Sequence, residues 1–292
     1  MNSTRDPRAN ILKSEVIKDL VAPVVASFST HGPNLILPDI IKPDLSAPGV
    51  EILAAYSPNA SISIPEDIRR VKYTILSGTS MACPHATGVA AYVKTFHPDW
   101  SPVAIKSSLM TTASLINDTN SSILDGEFAF GSGHINPVKA IDPGLVYEAS
   151  KEDYIKLLCT RYDESTVRLI SGDNSSCPTG PEKGSPVELN YPSMGAKVAA
   201  MEPFTVKFHR RVKNVGLANS TYNAKISPNA KVDIKVAPEV LSFKSLNEDQ
   251  TFDVTIVGSS SQFESRVSAA LVWSDGTHTV RSPIVVYTVP RT

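Results

Sequence analysis

The chain of 292 residues is long enough for one or two domains. Its 41% apolar and 20% charged residues are ordinary for a soluble globular protein, and its net charge of −1 gives no electrostatic reason to expect nucleic acid or an anionic membrane as a partner. No apolar run reaches the length of a transmembrane helix, and the charged residues among the first twenty are not typical of a signal peptide.

In chain order, the first region alternates apolar runs with turns rich in proline and glycine. Residues 1–20 are poorly patterned and end in a short predicted helix, and residues 22–29 are predicted to form a buried strand. An extended segment at 39–49, a second strand at 52–56 and a third at 71–76 follow. The third strand is rich in β-branched and aromatic residues, so it is also expected to be buried.

The central stretch of the sequence joins the third strand to a helix predicted over residues 86–96. This helix is apolar on nearly every side, which predicts that the core encloses it. Ser80 lies at the joint, where backbone N–H groups without intrahelical partners favour negative charge. Two interpretations of Ser80 stay open on these grounds. It is either a helix N-cap that contributes about 1 kcal/mol of stability, or a nucleophile whose oxyanion product these donors would stabilise.

Ser101 and Pro102 predict the start of the next helix, with serine as N-cap and proline at the first helical position. Ile105 and Leu109 give this helix one packing face. Strands that alternate with helices favour an α/β arrangement with a largely parallel sheet. A turn-rich block at 131–137 closes the region, and residues 152–158 are predicted to form a short amphipathic helix.

The character of the sequence changes from about Leu189, after a polar loop around 171–185. Short alternating strands separated by turn residues follow one another, which is typical of an antiparallel β-sandwich of about a hundred residues. The six predicted strands are 204–212, 222–226, 232–236, 252–257, 267–273 and 279–286.

The cysteines and the glycosylation sequons bear on the compartment. Cys83 lies in the apolar start of the central helix and is expected to be a buried free thiol. Cys159 and Cys177 flank a polar segment at a spacing that a disulfide could close, with two unpaired thiols as an equal alternative. Asn-X-Ser/Thr sequons favour a secreted protein with an oxidising environment. They occur at Asn2, Asn59, Asn117, Asn120, Asn174 and Asn219.

Several blocks together carry a resemblance to a known family. They include Ala47-Pro48-Gly49-Val50, Gly78-Thr79-Ser80-Met81-Ala82-Cys83-Pro84-His85, Trp100-Ser101-Pro102 and Pro143-Gly144-Leu145-Val146-Tyr147. In this order they resemble the plant subtilisin-like serine proteases (subtilases), most closely the cucumisin-like ones. The resemblance implies that Ser80 is the catalytic nucleophile. It also implies that residues 1–20 are the strand that returns from an inserted protease-associated domain.

The C-terminal domain resembles the fibronectin-III-like domain of the same family. The blocks that carry this likeness are Val212-Lys213-Asn214-Val215-Gly216 and Trp273-Ser274-Asp275-Gly276. The linker of the family contains cysteines that match Cys159 and Cys177, so the resemblance implies that these two form a disulfide.

The chain departs from the family where the rest of the catalytic machinery is concerned. A serine hydroxyl needs a base to take its proton and a carboxylate to orient that base. In the family, the Asp and His blocks and the oxyanion Asn precede the serine by hundreds of residues, and none of these blocks is present. No histidine stands in a catalytic His-Gly-Thr context, and His85 is expected to pack or hydrogen-bond within the fold. The six histidines are His31, His85, His97, His134, His209 and His278.

We therefore predict an α/β class with a partial subtilisin-like parallel sheet at 1–142, a connecting segment at 143–187 and an all-β fibronectin-III-like sandwich at 188–292. The expected function is that of the C-terminal portion of a secreted serine endopeptidase, with Ser80 as its nucleophile and little activity by itself. The alternative is a truncated, inactive secreted protein that binds partners through its sandwich. An incomplete gene prediction or a piece of a longer enzyme would also explain the missing blocks.

The expected partners are protein or peptide substrates of the full-length relative, and the missing N-terminal part of the protease. Neither nucleic acid nor membrane is expected as a partner. No motif for a metal or a cofactor is visible, so none is expected. The family resemblance implies an extracellular location, in the cell wall or apoplast.

Overall fold

The computed structural model describes residue 13 and residues 22–116, 126–179, 184–227, 232–259 and 266–288. Seven elements precede Ser150 in this part of the chain: β1 (Ile52–Ala55), β2 (Tyr73–Leu76), α1 (Thr79–Phe96), α2 (Pro102–Thr111), α3 (Glu127–Phe130), α4 (Pro137–Ala140) and β3 (Leu145–Tyr147). Helices α5 (Lys151–Cys159) and α6 (Glu164–Ser171) follow, with a 3-10 turn at Pro186–Glu188. The remaining strands are β4 (Met194–Lys197), β5 (Pro203–Asn214), β6 (Thr221–Ile226), β7 (Asp233–Ala237), β8 (Val240–Ser242), β9 (Asp249–Ser259), β10 (Arg266–Ser274) and β11 (Thr279–Tyr287).

The C-terminal half forms two sheets packed face to face. One has five strands in the order β4-β11-β10-β6-β8, and the other has four in the order β3-β5-β9-β7. Alternation along the strands turns every second side chain inward, and the inward set is aromatic and aliphatic. Trp273 and Phe208 are fully buried, and the rings of Phe252 and Trp273 meet edge to face at 5.1 Å. All six predicted strands are confirmed, and the two-sheet β-sandwich with them.

The sandwich also takes one strand from the predicted connecting segment. Residues Leu145–Tyr147 form β3, which pairs antiparallel with β5 so that Tyr147 lies opposite Val212. Leu145 and Tyr147 are both 0% exposed and belong to the sandwich core. Sequence patterning missed β3, β4 and β8 because strands of three or four residues show too little alternation to be recognised. The domain bounds themselves stay a prediction.

Helices α2, α5 and α6 begin at caps that the local sequence supplies. The Ser101 hydroxyl accepts a hydrogen bond from the Ala104 N–H at 3.0 Å, as predicted from Ser101-Pro102. A capping box between Ser150 and Asp153 starts α5, and the predicted helix there is confirmed. A disulfide between Cys159 and Cys177, with Cα atoms 5.6 Å apart, then ties α5 to the segment after α6.

The N-terminal part, by which we mean the described residues 22–142, has a much smaller core. Val93 of α1 packs against a small cluster that includes Ile105, Leu109, Ile135 and Ala140. This part contacts the sandwich at several points. The Tyr147 N–H donates to the Ser107 hydroxyl, and the Tyr287 hydroxyl donates to the Pro38 carbonyl.

A buried polar contact joins the two parts as well. Glu127 of α3 is 7% exposed and accepts a hydrogen bond from the Ser268 hydroxyl at 2.7 Å. The Arg281 guanidinium donates to the Ser132 carbonyl at 3.0 Å and lies 3.9 Å from the Glu127 carboxylate. Burial lowers the pKa of Arg281, although Glu127 opposes this shift.

Three predictions about burial and strand direction in the N-terminal part are wrong. Residues 22–29 contain no strand, and Phe28 is 49% exposed. Strand β2 forms, but its Tyr73 and Ile75 are 65% and 62% exposed. The pairing of β1 with β2 is antiparallel rather than parallel. A parallel strand needs a neighbour delivered by a crossover, and no such neighbour lies beside β1 or β2 among the described residues.

The central helix is also more exposed than predicted. Helix α1 starts seven residues earlier than residue 86, and Val93 is the one fully buried residue among its 18. Tyr92 and Phe96 are 43% and 53% exposed and contact each other edge to face. The α/β class followed by an all-β sandwich is confirmed, but nothing in the described residues encloses α1.

Candidate active site

Ser80 is the second residue of helix α1, and two residues, Ser77 and Gly78, separate this helix from the end of strand β2. Gly78 occupies the N-cap position with an extended backbone and no side-chain capping bond. The interpretation of Ser80 as an N-cap is therefore wrong, because the cap lies two residues earlier. Ser80 instead stands within the first helical turn, with its side chain exposed.

The hydroxyl of Ser80 has no hydrogen-bond partner among the residues that the structure describes. Helix α1 has no acidic residue in its first turn to neutralise the free backbone N–H groups there. A helix N-terminus carries partial positive charge, so this location favours an anion close to Ser80. An exposed hydroxyl beside such donors has the surroundings that a nucleophile of acyl transfer needs, apart from a base.

Two hydrogen bonds fix the chain just before Ser80 against a neighbouring turn. The Gly78 N–H donates to the Gly49 carbonyl at 2.8 Å, and the Glu51 N–H donates to the Ser77 hydroxyl at 2.8 Å. A side chain at Gly49 would bring a Cβ within 2.9 Å of the Gly78 carbonyl oxygen, so only glycine fits. Gly49 belongs to the Ala47-Pro48-Gly49-Val50 block that the sequence analysis identified. No sequence pattern predicted that the Ser77 hydroxyl would accept a hydrogen bond from Glu51.

A groove of about 680 Å³ lies beside the first turns of α1. The helix contributes Thr79, Ala82, Cys83 and Ala86 to its lining, and these four share one helical face. Ser80 is not part of the lining, because it lies about 100° around the helix from Thr79. The rest of the lining is mostly apolar and comes mainly from residues 22–30 and 43–50, with Ile116, Ala129 and His134 in addition.

Cys83 is a free thiol, as predicted, but it is exposed rather than buried. His134, at the far side of the groove, is held by its backbone between Ser46 and Ser114. Burial lowers the pKa of His134.

No described histidine is hydrogen-bonded to Ser80. His85 Nδ1 lies 2.8 Å from the Met81 carbonyl one turn earlier, which confirms that it bonds within the helix. His97 Nε2 lies 2.7 Å from the Ile141 carbonyl. The remaining described histidines with carboxylate partners, His209 and His278, belong to the sandwich.

The carboxylate of Asp44 takes part in a contact away from Ser80. It accepts hydrogen bonds from Lys42 Nζ and from the Tyr191 hydroxyl, both across short distances of 2.7 and 2.5 Å. Burial, followed by the charge of Asp44, raises the pKa of Tyr191 well above its ordinary value. Asp44 thus joins the N-terminal part to the segment before β4. Across the described residues, no cluster of His, Cys, Asp and Glu side chains is arranged to hold a metal ion.

Two family profiles match separate parts of the chain. Residues 18–133 match the sequence profile of the Subtilase family, and residues 188–286 match that of the Fibronectin type-III domain. The chain is 57% identical over 291 residues to the Subtilisin-like protease SBT4.4 of Arabidopsis thaliana, covering 98% of this chain and 39% of that protein. It is 56% identical to SBT4.8 and 53% identical to SBT4.13 of the same plant, covering 41% and 40% of them.

The chain thus spans about two fifths of the length of these curated relatives, and the match lies in their C-terminal portion. Among solved structures, a FixG-related protein from Vibrio parahaemolyticus aligns with 30% of this chain across 80% of its own length. The two are 9% identical, with a TM-score of 0.26. A score this low carries no argument. No described helix has both the length and the apolar composition to cross a membrane.

Proposed function

Since the chain belongs to the subtilase family of serine proteases, we propose that Ser80 is the nucleophile of a secreted subtilisin-like endopeptidase of which this chain is the C-terminal portion. One observation carries the proposal: the Ser80 hydroxyl is exposed and unbonded within the first turn of an 18-residue helix. The substrate class is protein or peptide. Attack of the Ser80 oxygen on a peptide carbonyl, followed by cleavage of the C–N bond, would form an acyl-enzyme, and the hydroxyl proton would pass through a base to the leaving amine.

The chemistry requires groups that the described residues do not bring to Ser80. A histidine must accept the proton of the hydroxyl, an aspartate must orient that histidine, and a further donor must complete the oxyanion hole. Losing one oxyanion donor alone costs about 2.7–4 kcal/mol of transition-state stabilisation, and the missing base costs more. The chain by itself is therefore inactive in this proposal.

The exposed side of α1 is the place where the missing groups would be supplied. Its first turns present Ser80, Pro84 and Gly88 to solvent, and these carry no charge. A helix that is uncharged on its outward side is normally covered by other protein. We assign that cover to the polypeptide that carries the Asp, His and Asn blocks in the family.

The test is covalent labelling with a fluorophosphonate probe. The chain alone should not react at Ser80, whereas the chain mixed with a polypeptide carrying the three blocks should react, and Ser80→Ala should abolish this labelling. Ser165→Ala is the matched control, because Ser165 is also an exposed second residue of a helix, α6. Labelling of Ser80 in the isolated chain at the rate of an intact relative would contradict the proposed inactivity. Labelling in the mixture that survives Ser80→Ala would contradict the role of Ser80.

The alternative function is a secreted interaction protein that acts through its sandwich. What favours it is that the sandwich has a complete core, whereas none of the described residues covers the outward side of α1. Extending the reading frame upstream at the transcript level distinguishes the two, because the proposed endopeptidase would carry the three blocks upstream in the same transcript, whereas a truncated interaction protein would not.

Secretion and glycosylation are part of both versions of the proposal. The disulfide between Cys159 and Cys177 supports an oxidising compartment. Asn59, Asn174 and Asn219 are exposed, as glycan acceptors must be. The other three sequons, at Asn2, Asn117 and Asn120, lie outside the described residues. A mobility shift on treatment with an N-glycosidase would test glycosylation of secreted material.

A further inference from the structure

His278 is a buried histidine with a carboxylate at each ring nitrogen. It lies in the turn before β11 and is 7% exposed. Its Nδ1 is 2.8 Å from Asp275 in the same turn, and its Nε2 is 3.1 Å from Asp142. A neutral imidazole has one N–H, so it can donate to only one of the two carboxylates. Both contacts are hydrogen bonds only when the ring is protonated.

Asp142 comes from outside the sandwich. It follows α4 in the N-terminal part and immediately precedes the segment that enters β3. The next residue but one, Gly144, accepts hydrogen bonds from the N–H groups of Val215 and Gly216 at 2.9 and 3.0 Å. The contact between His278 and Asp142 therefore holds the connecting chain onto the sandwich at the point where the two parts meet.

The surroundings of His278 leave little room for another arrangement. A Cβ at Gly144 would lie 2.7 Å from the Cβ of His278 and 2.6 Å from the Tyr222 hydroxyl, so the backbone of Gly144 lies directly against both side chains. The Tyr222 hydroxyl lies 3.4 Å from His278 Nδ1. Burial raises the pKa of Tyr222, so it stays neutral at physiological pH. The charged groups that face the ring are thus Asp275 from its own turn and Asp142 from the connecting chain, while the glycines add none.

We propose that His278 is a pH-dependent latch, which ties the connecting chain to the β-sandwich when its ring is protonated and releases Asp142 when the ring becomes neutral. The latch acts on the junction between the two parts of the molecule. It is separate from the chemistry at Ser80.

The direction of the pH dependence follows from the two shifted groups. Burial alone would lower the pKa of His278, but its bonds to Asp275 and Asp142 raise it above the ordinary value of 6.5. Its stabilising contribution is complete below 6.5 and is lost as pH rises through the raised pKa. Burial alone would raise the pKa of Asp275, but bonds from the His278 ring and from backbone N–H groups lower it below 3.8. The contribution of Asp275 is present above 3.8 and is lost only in stronger acid, so the latch holds best in mildly acidic solution.

The experiment uses the full chain, labelled for NMR detection of histidine rings and backbone amides. In the wild type, the ring of His278 should titrate above pH 6.5. Asp142→Asn removes one carboxylate, whose side chain is 67% exposed, so the variant should fold normally. The ring of His278 should then titrate at a lower pH. Amide exchange at Val215 and Gly216 should become about two- to fivefold faster at pH 5.5, as expected for the loss of a partly exposed ion pair, but not at pH 9.

His209→Gln is the matched control, because His209 pairs with Asp253 at 2.8 Å on the open face of the sandwich and holds nothing from the N-terminal part. It should leave the titration of His278 and the exchange of both amides unchanged. His278→Gln should remove the pH dependence of protection at these two amides, measured as the exchange rate relative to the intrinsic rate at the same pH. If this variant fails to fold, Asp142→Asn decides alone. The proposal is overturned if His278 titrates at or below 6.5, or if Asp142→Asn changes neither the titration nor the exchange.

Discussion

The sandwich and the region around α1 contain the same kinds of residues, yet they differ in how much of them is covered. In the sandwich, Phe252 is 1% exposed and Trp273 is not exposed at all, while Phe96 of α1 and Tyr73 of β2 are 53% and 65% exposed. Both regions form the elements that their sequences favour. This difference shows that a helix or a strand can form without being buried, because burial requires another part of the protein to pack against it.

Expressing the two regions as separate polypeptides tests this difference in burial most directly. We expect residues 143–292 to unfold cooperatively and residues 1–142 to show no cooperative transition, because the sandwich core is closed and that of the N-terminal part is small. Residues 188–292 should be less stable than 143–292 by about 3–6 kcal/mol, since they lack the buried Leu145 and Tyr147.

Thermal unfolding of the three pieces, followed by circular dichroism, measures this expectation. A cooperative and monomeric 1–142 would show that this part is self-sufficient, and it would weaken the proposal that α1 awaits a cover. Equal stability of 188–292 and 143–292 would show that β3 contributes little to the sandwich.

Two matched substitutions in the intact chain compare the stability lost when a buried ring and an exposed ring are removed. Phe252→Ala should lower the free energy of unfolding by about 3–5 kcal/mol, because it leaves a cavity in a closed core. Phe96→Ala should lower it by about 1 kcal/mol or less, because half of that ring already contacts solvent. Urea unfolding of both variants gives the two values, and similar losses would contradict the difference in burial.

The smallest effect is expected on the exposed face of the β1–β2 pair. Leu53 lies opposite Ile75, and both are exposed by more than half, at 69% and 62%. Leu53→Thr should change the free energy of unfolding by less than about 0.5 kcal/mol but should reduce self-association, because it interrupts an apolar patch.

Light scattering and urea unfolding test the two halves of that prediction. Val257→Thr is the control, because Val257 is an exposed residue of the sandwich, at 43%, within a charged neighbourhood beside Asp233. A large loss of stability in Leu53→Thr would show that the β1–β2 face is covered in solution.

Much of the candidate site could be predicted from the sequence, because its elements depend on neighbouring residues. The strand before Ser80 and the helix after it both follow from the order of residues in one short stretch. The role of Gly78 as N-cap was missed, since both Gly78 and Ser80 are acceptable caps and only the observed backbone distinguishes them. The contribution of Ser77 was missed because its partner, Glu51, lies 26 residues away.

Patterns among neighbouring residues were sufficient to predict six strands of the sandwich, the cap at Ser101 and helix α5. Alternation, caps and turn residues act over a few positions, so they can be read without knowing the fold. The tertiary structure alone decided what each element faces. It left α1 and β2 exposed, added β3 to the sandwich and placed Asp142 against His278. Such contacts join residues far apart in the chain, and their stability depends on surfaces that no local pattern specifies.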